Sequence, residues 1–114
     1  MKLNENQLKE IDENGYAILP EWFSIEEVNN LRKEMTIVFN EKTEANVVEK
    51  SSGEVRTAMG LHLRSKVFDY LTRHPKFFEP ACQIRGNNLY IQQTKINVKA
   101  AFTGEVWQWH YDFA

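Results

Sequence analysis

The stretch "LYIQQTKINVKAAFTGEVWQWHYDFA", residues 89–114, contains the clearest indication of the fold. It is rich in β-branched and aromatic residues and alternates polar with apolar positions, which is typical of strands. It predicts a long strand over residues 88–100, a turn at "FTG", and a second strand in "EVWQWHYDF". Because side chains two apart in a strand share a face, His110 and Asp112 are predicted to project side by side.

His110 and Asp112 offer an imidazole nitrogen and a carboxylate oxygen, a pair that suits iron(II), manganese or zinc. A third ligand would complete the facial triad of non-haem iron oxygenases. The same spacing also fits a surface histidine beside a solvated aspartate. The aromatic setting favours the metal site, because a polar stripe on an otherwise buried strand needs partners. The predicted buried face contains Trp107, Trp109, Tyr111 and Phe113, and the polar face contains Gln108, His110 and Asp112.

The preceding strand carries a second polar stripe, formed by Gln93, Lys95 and Asn97. A lysine beside an asparagine in a cavity could bind a dicarboxylate through charge and hydrogen bonds. The alternative is an edge strand with a solvated face, on which Lys95 and Lys99 discourage pairing with another chain. The pattern alone leaves both interpretations open.

Upstream of these strands the pattern is mainly helical. Ser24 followed by Glu27 is a capping box, and the apolar spacing after it predicts a helix over about residues 24–40. A short helix is predicted before Asn14-Gly15, then a short strand at "YAILP", and a loop over residues 41–54.

The next segment, "EVRTAMGLHLRS", predicts a strand that leads into a turn at Gly60. Two short helices follow in "SKVFDYLTRHP" and "KFFEPACQIRG", with Ser65 as a helix start and His74 at a helix end. Cys82 is expected to be a small core residue. The fold class is therefore α+β within a single domain. Residues 1–87 are mainly helical, and residues 88–114 form the strands.

Composition excludes several functions. The chain has 114 residues and a net charge of -2, and it has no basic block that would indicate a nucleic-acid or anionic-membrane partner. The polar N-terminus does not resemble a signal peptide, and the apolar runs are too short to cross a bilayer. With one cysteine, no intrachain disulfide can form. These features predict a soluble cytoplasmic protein.

Three segments together resemble one family. The stretch 89–114, "NGYAILPEWFSIEEVNNLRKEM" and "GEVRTAMGLHLRSKVFDYLTRHPKFFEPACQIRG" are similar to the phytanoyl-CoA dioxygenase family. The nearest branch holds ectoine hydroxylase and bacterial hydroxylases of free amino acids. The resemblance implies an oxygenase with iron(II) as cofactor and 2-oxoglutarate as co-substrate. Its fold would be a double-stranded β-helix (jelly roll), and this chain would provide the N-terminal helices and the first strands.

The resemblance also implies a role for each candidate residue. Hydroxylation of a small polar substrate, an amino acid or a derivative, is expected, because a carboxylate at position 112 implies hydroxylation and not halogenation. By family, His110 and Asp112 are two of the three iron ligands. The residues placed near 2-oxoglutarate are Asn97, Lys95 and Trp107, and those placed near the substrate are Gln93, Arg56 and His62.

The family pattern contains two further elements that this sequence lacks, a second histidine ligand and the arginine that anchors 2-oxoglutarate. The sequence is therefore expected to be the N-terminal portion of an oxygenase and to be inactive alone. Its open sheet edge is expected to allow a homodimer, or a complex with the missing C-terminal part. One alternative is a non-catalytic remnant or interaction module that pairs through this edge. The other is a plain helical-and-strand domain with a chance His-x-Asp.

Overall fold

The computed structural model describes residues 1–102, 106 and 108–110. The elements of this part of the chain are, in order, α1 Glu5–Asn14, α2 Ile25–Asn40, β1 Asn46–Val48, β2 Val55–Met59, α3 Leu61–Arg64, α4 Lys66–Arg73, α5 Pro75–Arg85 and β3 Lys95–Asn97. The predicted combination of helices and strands is confirmed, and the strands are antiparallel. None of the helices in the described ranges combines the length and the apolarity that a membrane span requires.

The helix boundaries follow local capping chemistry. Ser24 accepts a hydrogen bond from the Glu27 backbone N–H, and the Glu27 carboxylate accepts one from the Ser24 N–H, so the predicted capping box is confirmed. Helix α1 ends at Gly15, whose φ of 81° is favoured by glycine. Helix α4 begins after Ser65, whose side chain accepts from the Phe68 N–H. These ends were predictable because each depends on residues within one turn.

The three strands form one antiparallel sheet in the order β1-β2-β3. Of the long strand predicted over residues 88–100, Lys95–Asn97 forms β3 opposite β2. Backbone hydrogen bonds of Thr94 and Val98 extend this contact by one residue at each end. The strand predicted at "YAILP" is wrong: residues 16–20 are not extended in the sheet that the structure describes, and Ile18 is exposed. The loop predicted over residues 41–54 is wrong in part, since it contains β1.

A small core lies between the helices and one face of the sheet. Its buried residues come from α2, β2, α3 and α4, and they are Val38, Ala58, Leu61 and Phe68. Partly buried side chains surround them, and these are Leu31, Met35, Phe39, Val55, Leu71 and Ile96. Ala58 and Ile96 are directly opposite each other in the β2–β3 register, so this face of the sheet packs on the helices. Cys82 is not in this core as predicted, because it is only partly buried on α5.

Arg64, at the end of α3, joins four parts of the fold. Its Nη2 donates to the Val38 carbonyl at 3.0 Å and to Asn46 Oδ1 at 2.8 Å, and lies 2.9 Å from Glu41 Oε2. Its Nη1 donates to the Met59 carbonyl at 3.3 Å. The planar guanidinium therefore satisfies acceptors at the end of α2, in β1 and in β2 at once. We call Arg64 and these four partners the Arg64 network.

A polar latch joins the start of α2 to the junction of α4 and α5. Glu27 Oε2 accepts from Lys76 Nζ at 2.5 Å, and Glu27 Oε1 lies 3.6 Å from His74 Nε2. His74 Nδ1 accepts from the Lys76 backbone N–H, and Trp22 Nε1 donates to the Lys76 carbonyl at 2.8 Å. His74 is the last cap of α4 and the first cap of α5, so its predicted place at a helix end is confirmed.

The latch predicts a pH dependence of stability. The Lys76 ammonium, and then the Ser24 backbone N–H, lower the pKa of Glu27 from 4.5 to about 2. A lowered pKa stabilises the fold above about pH 4.5, and this contribution is lost as the pH falls towards about 2. Urea unfolding of Glu27→Gln should therefore show lower stability than the parent at neutral pH, and the difference should shrink across that window.

The matched control is Glu26→Gln, which changes the neighbouring carboxylate in the first turn of α2. This variant should follow the pH profile of the parent. A constant offset between Glu27→Gln and the parent from neutral pH to about pH 2 would show that the charge of Glu27 contributes nothing.

Candidate functional site

The face of the sheet opposite the core carries the polar residues that the sequence predicted for co-substrate binding. Asn97 lies directly opposite Thr57, and Lys95 lies opposite Met59, so Lys95 and Asn97 share this face. Both side chains are exposed. The Thr57 hydroxyl donates to Asn97 Oδ1 at 3.1 Å. The Asn97 amide therefore directs its oxygen towards β2 and its N–H donors away from Thr57. Nothing in the sequence pattern indicated this role for Thr57.

A β-bulge on β2 sets the position of Arg56. Val47 lies opposite Thr57 and Val48 lies opposite Val55, so Arg56 is the extra residue. The bulge breaks the two-residue alternation, and Val55 consequently packs against the core although Thr57 faces away from it. Bulges re-aim a side chain, and this one occurs at a residue that was predicted to contact substrate.

Arg56 is paired with a buried carboxylate that the sequence pattern does not indicate. Its Nε lies 3.9 Å from Oε1 of Glu49, whose side chain is only 5% exposed. The Arg56 carbonyl also accepts from the Val98 backbone N–H at 2.8 Å, which continues the β2–β3 ladder past Asn97. A glutamate in a polar segment resembles an ordinary surface residue, so only the pairing of β1 with β2 brings it to notice.

His62 is held at the start of β3 by Thr94. The Thr94 hydroxyl accepts from the His62 backbone N–H at 3.2 Å and lies 2.7 Å from His62 Nδ1. The Thr94 carbonyl accepts from the Gly60 N–H at 2.9 Å. Gln93, next in the chain, borders with Thr94 and Lys95 a cavity of about 860 Å³ against α4 and α5. His62 and Gln93 thus lie near the beginning of β3, and Asn97 lies at its end.

The ring of His110 contacts a backbone carbonyl through Nδ1. Its Nδ1 lies 2.7 Å from the Gln108 carbonyl oxygen. A carbonyl oxygen only accepts, so Nδ1 carries the proton and the lone pair is on Nε2. A neutral imidazole whose other nitrogen donates to a carbonyl is the form in which histidine binds metal ions. The side chain of His110 therefore fits the role of an iron ligand through Nε2.

The other predictions for residues 105–114 concern a strand, the burial of its aromatic face and the partner of His110. Residues 106 and 108–110 form no strand, and Trp109 is fully exposed, so its predicted place on a buried strand face is wrong. Asp112 and Trp107 lie outside the described residues, and the pairing of Asp112 with His110 stays a prediction. Among the residues that the structure does describe, no cluster of three His, Cys, Asp or Glu could hold a metal ion. The assignment of His110 to the metal also stays a prediction.

The chain is similar to one protein-family model and to several named enzymes. A family model described as "Phytanoyl-CoA dioxygenase (PhyH)" matches residues 11–114. The ectoine dioxygenase of Bordetella bronchiseptica is 30% identical over 115 residues, which cover 97% of this chain and 37% of that protein. The L-proline trans-4-hydroxylase of Streptomyces griseoviridis is 35% identical over 100 residues, or 88% of this chain and 37% of that protein.

A solved structure shares the fold. The crystal structure of EctD from S. alaskensis with bound Fe has a TM-score of 0.89 to this chain at 29% sequence identity. The match covers 97% of this chain and 41% of that one. The chain therefore spans less than half the length of these relatives.

Proposed function

Because the chain belongs to the phytanoyl-CoA dioxygenase family, we propose that the protein containing these residues is an iron(II)- and 2-oxoglutarate-dependent hydroxylase. Its proposed substrate is small and polar, an amino acid or a derivative. The observation that carries this proposal is the TM-score of 0.89 to an EctD structure with bound Fe, over 97% of this chain. The names of the ectoine and proline enzymes support the substrate class.

The proposed site assigns His110 and Asp112 to the iron. His110 supports this assignment because its Nδ1 contact with the Gln108 carbonyl directs the lone pair to Nε2. Bound iron(II) would supply the chemistry that couples oxidative decarboxylation of 2-oxoglutarate to hydroxylation of an unactivated C–H bond. In the balanced reaction, dioxygen gives one oxygen atom to the alcohol product and one to succinate, and carbon dioxide is released.

Asn97, Lys95 and Trp107 are assigned to 2-oxoglutarate. The Thr57 hydroxyl supports this role of Asn97, because it engages the amide oxygen and leaves the amide N–H groups to donate to a carboxylate. The Lys95 ammonium on the same face would add a charge-assisted hydrogen bond. Together these two side chains would orient the co-substrate on the open face of the sheet.

Gln93, Arg56 and His62 are assigned to the substrate. The bulge and the Glu49 contact support a fixed direction for the Arg56 guanidinium, which suits recognition of a carboxylate. His62 and Gln93 lie near the start of β3, so a substrate that contacts all three would extend along β2 and β3. We further propose that residues 1–114 alone are inactive, because the family's second histidine ligand and its anchoring arginine are not among them.

Succinate formation tests this proposal. A chain that extends past Ala114 and contains these residues should consume 2-oxoglutarate and release succinate when iron(II), dioxygen and a substrate from an amino-acid panel are present. The panel should include L-proline and ectoine, since relatives are named for them. The 114-residue chain is the matched control and should release no succinate. Failure of the longer chain with every member of the panel would refute the proposed activity.

A further inference from the structure

A groove on the helical side of the molecule is lined by none of the residues assigned above to the metal, the co-substrate or the substrate. It lies between α2 and α4 and has a volume of about 530 Å³. Pockets that hold small ligands have volumes of about 300–1,000 Å³. Its apolar lining comes from the loop before α2 and from both helices, and consists of Phe23, Leu31, Val67, Tyr70 and Leu71.

The acidic residues that border this groove are already engaged. The Glu27 carboxylate is held by Lys76 at 2.5 Å and by the Ser24 backbone N–H at 2.7 Å. The Glu34 carboxylate accepts from the Ser65 hydroxyl at 2.6 Å. The charge of Glu27 is therefore offset by Lys76, whereas Glu34 keeps its negative charge and has one oxygen engaged by a hydroxyl. Lys33 and Lys66 together outweigh this one carboxylate, so the lining keeps a net positive charge.

Two lysines, Lys33 and Lys66, border the mouth of the same groove. Lys33 precedes Glu34 on α2, and Lys66 follows Ser65 at the start of α4. The hydrogen bond between Glu34 and Ser65 therefore brings the backbones of the two lysines to the same side of the groove. Both side chains line the groove and are exposed. Within the described ranges, neither lysine contacts an acidic group. The groove consequently presents positive charge above an apolar floor.

We propose that this groove binds an organic anion with an aromatic or aliphatic body and a carboxylate head. The apolar floor would remove the body from water, and the two ammonium groups would pair with the carboxylate. The floor is preorganised, because the Phe23 ring packs against Phe77 at a centroid distance of 5.2 Å and Lys76 lies over its face. A cationic ligand would meet the like charges of Lys33 and Lys66, and a neutral one would forgo both ion pairs.

Titration of the 114-residue chain with 4-phenylbutyrate, followed by ¹H–¹⁵N NMR, tests this proposal. Shift changes should saturate, should centre on the residues of α2 and α4 that line the groove, and should give a dissociation constant of about 1 mM or below. The neutral analogue 4-phenylbutan-1-ol should bind about tenfold more weakly, because it cannot pair with either lysine.

Three variants provide the controls. Lys33→Glu combined with Lys66→Glu should weaken binding by about tenfold or more, while Lys9→Glu combined with Lys50→Glu, on other surfaces, should leave it unchanged. Val67→Trp should fill the groove and weaken binding without a change in charge. The proposal is overturned by unsaturable shifts, by equal binding of the alcohol, by binding that the lysine variant retains, or by shifts centred outside the groove. Each readout is independent of succinate formation, so the proposed enzymatic function is tested separately.

Discussion

Replacement of Arg64 by alanine is expected to lower the free energy of unfolding by about 3 kcal/mol, a large part of the stability of a small domain. The side chain is 14% exposed, so most of its contacts are made away from water. Its loss would remove a donor to the partly buried Asn46 Oδ1 and Val38 carbonyl, whereas the exposed Met59 carbonyl can bond to water instead. An acceptor left unsatisfied away from water costs about 1–3 kcal/mol.

Arg64→Lys separates charge from geometry. Lysine keeps the positive charge beside Glu41 but cannot reach the Val38, Asn46 and Met59 acceptors with one planar group. The free energy of unfolding of Arg64→Lys should therefore lie between that of the parent and that of Arg64→Ala. The matched control is Arg73→Ala, which removes an exposed arginine whose ion pair with Asp69 is on the surface of α4. Such pairs contribute about 0.5 kcal/mol.

Chemical denaturation of the three variants checks this prediction. An Arg64→Ala midpoint that coincides with the Arg73→Ala midpoint would contradict the importance of the Arg64 network. An unchanged dependence of the unfolding free energy on denaturant concentration would show that the difference reflects stability and not a changed unfolded state.

The second large effect concerns His110 in a chain that extends past Ala114. His110→Ala should reduce succinate formation by more than about 100-fold, because losing even a group that only orients a metal ligand costs about 10- to 100-fold. The loss of activity is expected because alanine removes Nε2, the nitrogen assigned to iron. The Gln108 carbonyl favours the proton on Nδ1 and so leaves the lone pair on Nε2. Iron content of the purified variant should fall in parallel.

His74→Asn is the matched histidine control for this experiment. His74 caps α5 by accepting from the Lys76 N–H through Nδ1, a contact that the asparagine Oδ1 can replace. This variant should keep its iron and its succinate formation. Equal iron content in His110→Ala and the parent would remove His110 from the proposed metal site, even if activity were lost for another reason.

The helices were largely predictable from sequence, because their ends depend on neighbours. Ser24 and Glu27 are three residues apart and cap each other, and Gly15 ends α1 through its own backbone. The same local logic placed His74 at a helix end. A pattern of a few residues therefore suffices wherever the partner is within one turn.

The strands were less predictable, because a strand is defined by a partner that is distant in sequence. Residues 16–20 are apolar enough for a strand but have no neighbour in the described sheet. Residues 46–48 looked like part of a loop, and they become β1 through pairing with β2. The face shared by Lys95 and Asn97 was predicted from alternation, whereas the bulge at Arg56 and the Glu49 contact required the register.

The attachment of the N-terminus has a consequence for the order in which the chain assembles. Helix α1 has no buried residue, and the preceding Leu3 is buried and exchanges two hydrogen bonds with the side chain of Gln83 on α5. Joining positions 80 residues apart in sequence carries a loop-closure entropy that local contacts avoid. The two hydrogen bonds between Leu3 and Gln83 are therefore expected to form after α5 has packed against the rest of the fold. The first helix of the sequence would then be one of the last elements to reach its final position.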